Sequence, residues 1–326
     1  MRLAIKLASV VISGAMSSGI SVAQEKKLTP VSYTLNWYPQ AEHGGFFQAK
    51  AEGIYERNGL DVTIRPGGPQ INVHQLLAAG QTDFIMGTSM RTLGAVQQGV
   101  PIVTVFAGFQ KDPVTLVTHE GVGHDRLSDL KGKPIRLPAI ARTNYWPWLK
   151  SKFGFTDEQI RGFEPGYAAL GSDKMLSQQG YATNDAWNAK KVGLNLKSLM
   201  LADYGWGNYA TTIDTTEKNI RERPEIVRAF VRATSEGYRR YLENPAKAHA
   251  LIKQANPAMD VDLMEHTYRE MKRLGIVESG DARGGRIGIM SDARWEQFVK
   301  DMQAAGTLPA NLEWKKAYTL EFVKDL

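Results

Sequence analysis

Cysteine is absent from all 326 residues. That excludes disulfides, thiolate metal sites, a cysteine nucleophile and lipid attachment through an N-terminal cysteine. Long uncharged apolar runs are missing beyond the first two dozen residues, so the rest of the chain offers no transmembrane span. There is no low-complexity tract and no repeat at a fixed period, which argues against disorder and against solenoid architectures. A clustered basic face is lacking too. The formal charge of +6 is spread out, with Arg239-Arg240 and Lys272-Arg273 as isolated pairs, unlike a nucleic-acid-binding surface. No G-x-x-x-x-G-K-[ST] loop and no G-x-S-x-G elbow occur, so nucleotide hydrolysis and that type of acyl transfer have no support. No His, Asp and Glu stand at convincing metal-ligand spacing, and neither a metal nor a cofactor is expected.

What is present begins with a leader. Arg2 and Lys6 precede an uncharged, mostly apolar stretch from Leu7 to Ile20, followed by Ser21-Val22-Ala23. This reads as a secretory signal cut after Ala23, directing the mature chain to a bacterial periplasm. The remainder has ordinary globular composition, with 43% hydrophobic and 23% charged residues. Its length suffices for two cores.

Strand-like and helix-like segments alternate with short connections. Strands are expected at 31–36, 60–65, 83–87 and 101–107, with helices at 44–58, 72–79 and 90–98 between them. The pattern restarts with strands at 114–119 and 134–137 and a helix at 144–153. A helix at 173–178, a short strand at 179–183 and a helix at 186–192 follow. A strand from 209 to 214 brings the chain back, and a clear amphipathic helix runs from Pro224 to Leu242. The fold class is therefore α/β, a parallel sheet with crossover helices in each half. Residues 24–112 and 210–326 are assigned to lobe I and 113–209 to lobe II, joined by a two-segment hinge. Ligands of open α/β sheets bind outside the carboxyl ends of the strands, so a ligand cleft is expected between the lobes.

Several segments also carry a resemblance. They are Leu35-Asn36-Trp37-Tyr38-Pro39 with Glu42-His43-Gly44-Gly45-Phe46, then Gly53-Ile54-Tyr55 with Gly59-Leu60-Asp61-Val62. Leu76-Leu77-Ala78-Ala79-Gly80 before Asp83, Gly99-Val100-Pro101 and Leu130-Lys131-Gly132-Lys133 follow in order. Together they resemble the periplasmic solute-binding family for thiamine-pyrimidine precursors, over nearly the whole mature chain. The resemblance implies a type II periplasmic-binding-protein fold and a role in ABC-linked uptake. Its implied partners are a small-molecule ligand, such as a thiamine pyrimidine precursor or a riboflavin-like compound, and a transporter permease. A monomer is the simple expectation. The family has one enzymatic branch, a pyrimidine synthase that uses pyridoxal phosphate on a lysine, a histidine and a cysteine-rich iron motif. Here Gly87 stands at the lysine, Arg91 at the histidine and 205–209 at the cysteine motif, so binding without catalysis is expected. The alternative on the same scaffold is an aromatic acid or a sulfonate.

Candidate ligand-binding residues come from both lobes. Trp37 ends the first strand, and the resemblance implies that a ring stacks on it. Asn36 offers a donor and an acceptor, although it also suits a turn. His43 opens the first helix and is equally a satisfied structural histidine. Asp185 aligns with a family glutamate that contacts the ligand's amino group, and it is also a good helix N-cap. Asn144, Tyr145 and Trp146 start the second lobe's helix, one of the two aromatics being expected as core. Ser89 at a helix start, Gln110 at the lobe crossing and Trp206 near the return crossing complete the set, with capping, loop solvation and core packing as their bland alternatives. Gly67-Gly68-Pro69 is an anion cradle or, more simply, a turn.

Overall fold

A computed structural model describes residues 27–164 and 166–326. The expected leader and its cleavage point lie outside the described residues. In chain order the strands are β1 (Thr29–Thr34), β2 (Leu60–Arg65), β3 (Phe84–Thr88), β4 (Ile102–Phe109), β5 (Val114–His119), β6 (Ile135–Arg136), β7 (Ile160–Arg161), β8 (Ser177–Tyr181), β9 (Leu196–Met200) and β10 (Ala210–Thr216). They form two five-stranded sheets, ordered β2-β1-β3-β10-β4 and β7-β6-β8-β5-β9.

Both sheets are mixed, which corrects the expectation of parallel ones. β1 pairs in parallel with β2 and β3, but β10 runs antiparallel between β3 and β4. The reason is topological. The chain leaves the first sheet from the carboxyl end of β4 and returns at that same pole, so the returning strand must run the other way. β5 likewise starts at the pole nearest the first sheet and pairs antiparallel with β8 and β9.

Local chemistry accounts for most boundaries. The helix expected at 44–58 is two pieces, Gly44–Ala51 and Ile54–Arg57, because Gly53 takes a left-handed φ of 66° between them. The helix expected at 173–178 is not there. A short helix ends at Ser172, the Asp173 carboxylate accepts from the Met175 N–H at 2.8 Å, and the chain turns into β8. β9 was not anticipated at all.

The first lobe's core is aromatic. Phe230, from the helix Pro224–Glu243, stacks on Phe84 at 4.5 Å and on Tyr55 at 5.3 Å. Burying one such side chain contributes about 1.5–3 kcal/mol. The second core gathers Tyr145, Trp146, Trp148 and Leu149 with Trp206. It also receives Trp295, Phe298, Val299 and Met302 from the helix Asp292–Ala304 near the end of the chain. The C-terminal segment assigned to lobe I thus packs on lobe II as well. Among the described residues no helix is long and apolar enough to cross a membrane.

Candidate functional site

The carboxyl ends of β1 to β4 and the amino end of β10 share one pole of the first sheet. The amino end of β5 and the carboxyl ends of β6 and β8 share one pole of the second. Two crossing segments, around 110–113 and 206–209, join these poles. The segments that follow β1 and β8 meet directly. Thr183 Oγ1 donates to Glu42 Oε1 at 2.7 Å, and Thr267 Oγ1 donates to Asn184 Oδ1 at 2.8 Å. Lys191 pairs with Asp260 at 2.8 Å, and the Trp187 ring lies 5.5 Å from that of His266.

Trp37 and Tyr38 sit on the loop after β1 and remain 43% and 50% exposed, edge to face at 5.5 Å. Their loop is held from behind. The Gly67 N–H donates to the Trp37 carbonyl at 3.0 Å, and Asn256 Nδ2 donates to the Pro39 carbonyl at 2.9 Å. A Cβ at Gly67 would lie 2.1 Å from the Leu35 carbonyl oxygen, so the Gly67-Gly68 turn is packed against backbone. Asn36, next to Trp37, is partly buried.

Three of the candidate residues carry a buried polar atom without a partner: His43 Nδ1, Asn144 Oδ1 and the Tyr145 hydroxyl. Burial pushes the His43 imidazole down to about 3 and raises the Tyr145 phenol, so both are neutral at pH 7. Leaving such groups unpaired costs about 1–3 kcal/mol each. A ligand with complementary donors and acceptors would recover that cost. Burial also raises the Glu42 carboxyl, while its bonds from Thr183 and Asn184 work the other way.

Ser89, Gln110 and Trp206 are committed elsewhere. Ser89 Oγ donates to Asn208 Oδ1 at 2.8 Å and accepts from the Tyr209 N–H at 2.9 Å. Trp206 Nε1 and Asn208 Nδ2 donate to the same Asp112 oxygen at 3.0 and 2.7 Å, tying the two crossings together. Gln110 Nε2 donates to the Ile289 carbonyl at 2.9 Å. Arg294 completes the hinge, donating to the carbonyls of Gln110 and Gly207 and lying 4.0 Å over the Tyr209 ring. These three candidates are therefore hinge residues, with their hydrogen-bonding capacity spent on protein.

Trp146 and Asp185 also need correction. Trp146 is a core residue like Tyr145 beside it, packed on Phe155, with Nε1 donating to Asp157 at 2.7 Å, so both aromatics of the pair are buried where only one was expected to be. The Asp185 carboxylate is buried and accepts from Thr115, Tyr167, the Tyr181 N–H and Ser198 at 2.5–2.8 Å. Four donors fill it, leaving little capacity for a ligand amine. Asp112, Thr183 and Arg294 were overlooked. Nothing in their neighbours along the chain signals long-range partners.

Gly87 and Arg91, which the resemblance aligns with the synthase lysine and histidine, lie in the first lobe. A Cβ at Gly87 would lie 1.9 Å from Asp214 Oδ2, so the place of a side chain is filled by that carboxylate. Arg91 is partly buried in the first turn of the helix Ser89–Gln97.

A family model described as NMT1/THI5 like matches residues 40–248. The chain belongs to the NMT1/THI5-like family. A riboflavin-binding protein from Chloroflexus aurantiacus is 27% identical over 307 residues, covering 91% of this chain and 86% of the relative. A formylaminopyrimidine-binding protein from Halalkalibacterium halodurans is 24% identical, covering 87% and 88%. Other relatives, from Legionella pneumophila and Saccharomyces cerevisiae, are 22% and 25% identical and are named 4-amino-5-hydroxymethyl-2-methylpyrimidine phosphate synthases. Among solved structures, the periplasmic aliphatic sulphonate binding protein SsuA from Escherichia coli superposes with a TM-score of 0.65. It is 11% identical, with 88% of this chain and 91% of that one covered. The shared architecture is the periplasmic-binding-protein fold.

Proposed function

We propose that this chain is the exported solute-binding component of an ABC-type uptake system, holding a small heteroaromatic molecule between its lobes. The observation that carries the reading is Trp37. An indole left 43% exposed at the carboxyl end of β1, on a loop braced from behind, is a ready surface for a flat ring. His43, Asn144 and Tyr145 supply unpaired polar atoms on segments at the same junction. Riboflavin and formylaminopyrimidine, named for two relatives, are rings of the required kind. In this reading residues 1–23 direct export, Ala23 is the last residue removed, and the mature monomer delivers its ligand to a permease.

Catalysis of the synthase type is no part of this reading, because the position that the resemblance aligns with the synthase lysine is Gly87. A lysine at 87 would have to displace the buried Asp214 carboxylate. The reading is tested by thermal unfolding of the purified mature chain with riboflavin, aminopyrimidines and alkanesulfonates. A ligand at a hundredfold excess over Kd stabilises by about 2.7 kcal/mol. Stabilisation by a heterocycle supports the reading, and a response to alkanesulfonates alone would replace it. An imine absorbance on incubation with pyridoxal phosphate would reopen the enzymatic one.

A further inference from the structure

The strongest unused group lies at the base of the first lobe's pole. Asp214, in β10, is fully buried and held by three hydroxyls. Thr104 and Thr212 donate to Oδ1 at 2.8 Å each, and Thr92 donates to Oδ2 at 2.9 Å. Two basic side chains stand beside it. His74 Nε2 is 3.9 Å from Asp214 Oδ2, beyond hydrogen-bonding distance, and is buried without a partner. Burial, then the Arg91 charge, push the His74 imidazole down to about 4, so it is neutral at pH 7. Arg91 feels the Asp214 charge, yet among the described residues its guanidinium makes neither a hydrogen bond nor an ion pair.

Their placement matters as much as their state. His74 is in the first turn of the helix Val73–Ala78, which follows the Gly67-Gly68-Pro69 turn. Arg91 is in the first turn of the helix that follows β3. Both therefore start from the pole that carries Trp37, and both side chains keep some exposure. The backbone does not compete for a ligand here. The Met90 N–H is taken by Asn208 Oδ1 and the Arg91 N–H by Thr88 Oγ1.

A planar guanidinium with open donors is suited to bidentate recognition of an oxyanion. We infer that Arg91, assisted by His74, is an anion subsite in the floor of the interlobe cleft, so that the transported ring carries a carboxylate, sulfonate or phosphate group. This rests on the binding function proposed above and narrows its ligand class. Asp214 then has a defined part. It holds Arg91 in place by charge, while its own oxygens stay occupied by threonines.

The test is calorimetric titration of the mature protein with matched pairs: nicotinate and nicotinamide, benzenesulfonate and benzenesulfonamide, flavin mononucleotide and riboflavin. Inorganic phosphate is the ring-free probe. The acid of at least one pair should bind at least tenfold more tightly than its neutral partner. Arg91→Gln should erase that preference and Arg91→Lys should keep part of it. Should Arg91→Gln fail to fold, the double variant Arg91→Gln/Asp214→Asn removes both charges and reads the same preference. Neutral partners binding as tightly as the acids would overturn the inference and leave the cleft reading standing. So would a preference that survives Arg91→Gln. If no pair bound while an uncharged aminopyrimidine did, the inference would fall and the cleft reading would stand; if neither the pairs nor an aminopyrimidine bound, the cleft reading itself would fall.

Discussion

At the scale of single residues, exposure and unmet hydrogen bonds separate ligand-facing groups from scaffold. Trp37 is proposed as ligand-facing on the ground of its exposure. Trp37→Ala should weaken ligand binding by at least tenfold while moving the thermal midpoint little, because an exposed indole contributes little to the core. Unchanged affinity would make it scaffold. Asp185 fails the test. Asp185→Asn should lower stability by about 1–3 kcal/mol through its lost charge-assisted bonds. It should not discriminate an amino-bearing ring from its deaminated analogue. His43 has a pH signature. Its folded value of about 3 lies below the ordinary 6.5, so between these the unfolded chain binds more protons and stability falls as pH falls. Asp214, raised to about 6, slopes the other way between about pH 4 and 6. Denaturant midpoints measured from pH 7 to 4 should therefore decline less in His43→Asn than in the parent protein. A parallel decline would show that His43 is not buried neutral. The places of Trp37 after β1 and of His43 before a helix were legible in the sequence because a position after a strand or before a helix is a local property. Ser89, Gln110, Trp206 and Asp185 were misjudged because sequence displays a side chain's donors and acceptors but not the distant partners that consume them.

At the scale of elements, the hinge is built from short pieces of backbone cross-linked by side chains. Asp112 on one crossing receives Trp206 and Asn208 from the other, and Arg294 binds carbonyls of both. Thr211, just beyond the return crossing, holds a positive φ of 49° at a register shift in β10. A β-branched residue there costs of order 1–3 kcal/mol, which the surrounding bonds must offset. Arg294→Met should therefore destabilise the whole protein by about 2–4 kcal/mol and broaden the distribution of interlobe distances seen by spin-label measurements. A narrow, unchanged distribution would mean that Asp112 alone sets the hinge. The strand and helix order was readable because hydrophobic period and glycine punctuation are local. The direction of β10 follows from where the chain re-enters the sheet, and β9 has little apolar alternation to announce it.

At the scale of the whole molecule, the proposed binding function calls for lobes that close on a ligand, and the contacts between them differ in weight. Lys191–Asp260 is substantially exposed on both sides and contributes at most about 1 kcal/mol. Thr183–Glu42 is buried on both sides. Removing its donor leaves a buried carboxylate oxygen short of a partner, a cost of about 1–3 kcal/mol paid only in the closed form. Thr183→Val should therefore shift the ligand-free protein toward the open form by roughly 5- to 150-fold. Its radius of gyration in solution scattering should rise, and the apparent Kd should rise as the binding-competent fraction falls. Lys191→Ala should change both quantities far less. Saturating ligand should bring the scattering curve of Thr183→Val back to that of the parent, since binding energy can replace the lost latch. Equal effects of the two variants would place closure in surface charge instead. No effect of Thr183→Val would show that the lobes are held by the hinge alone.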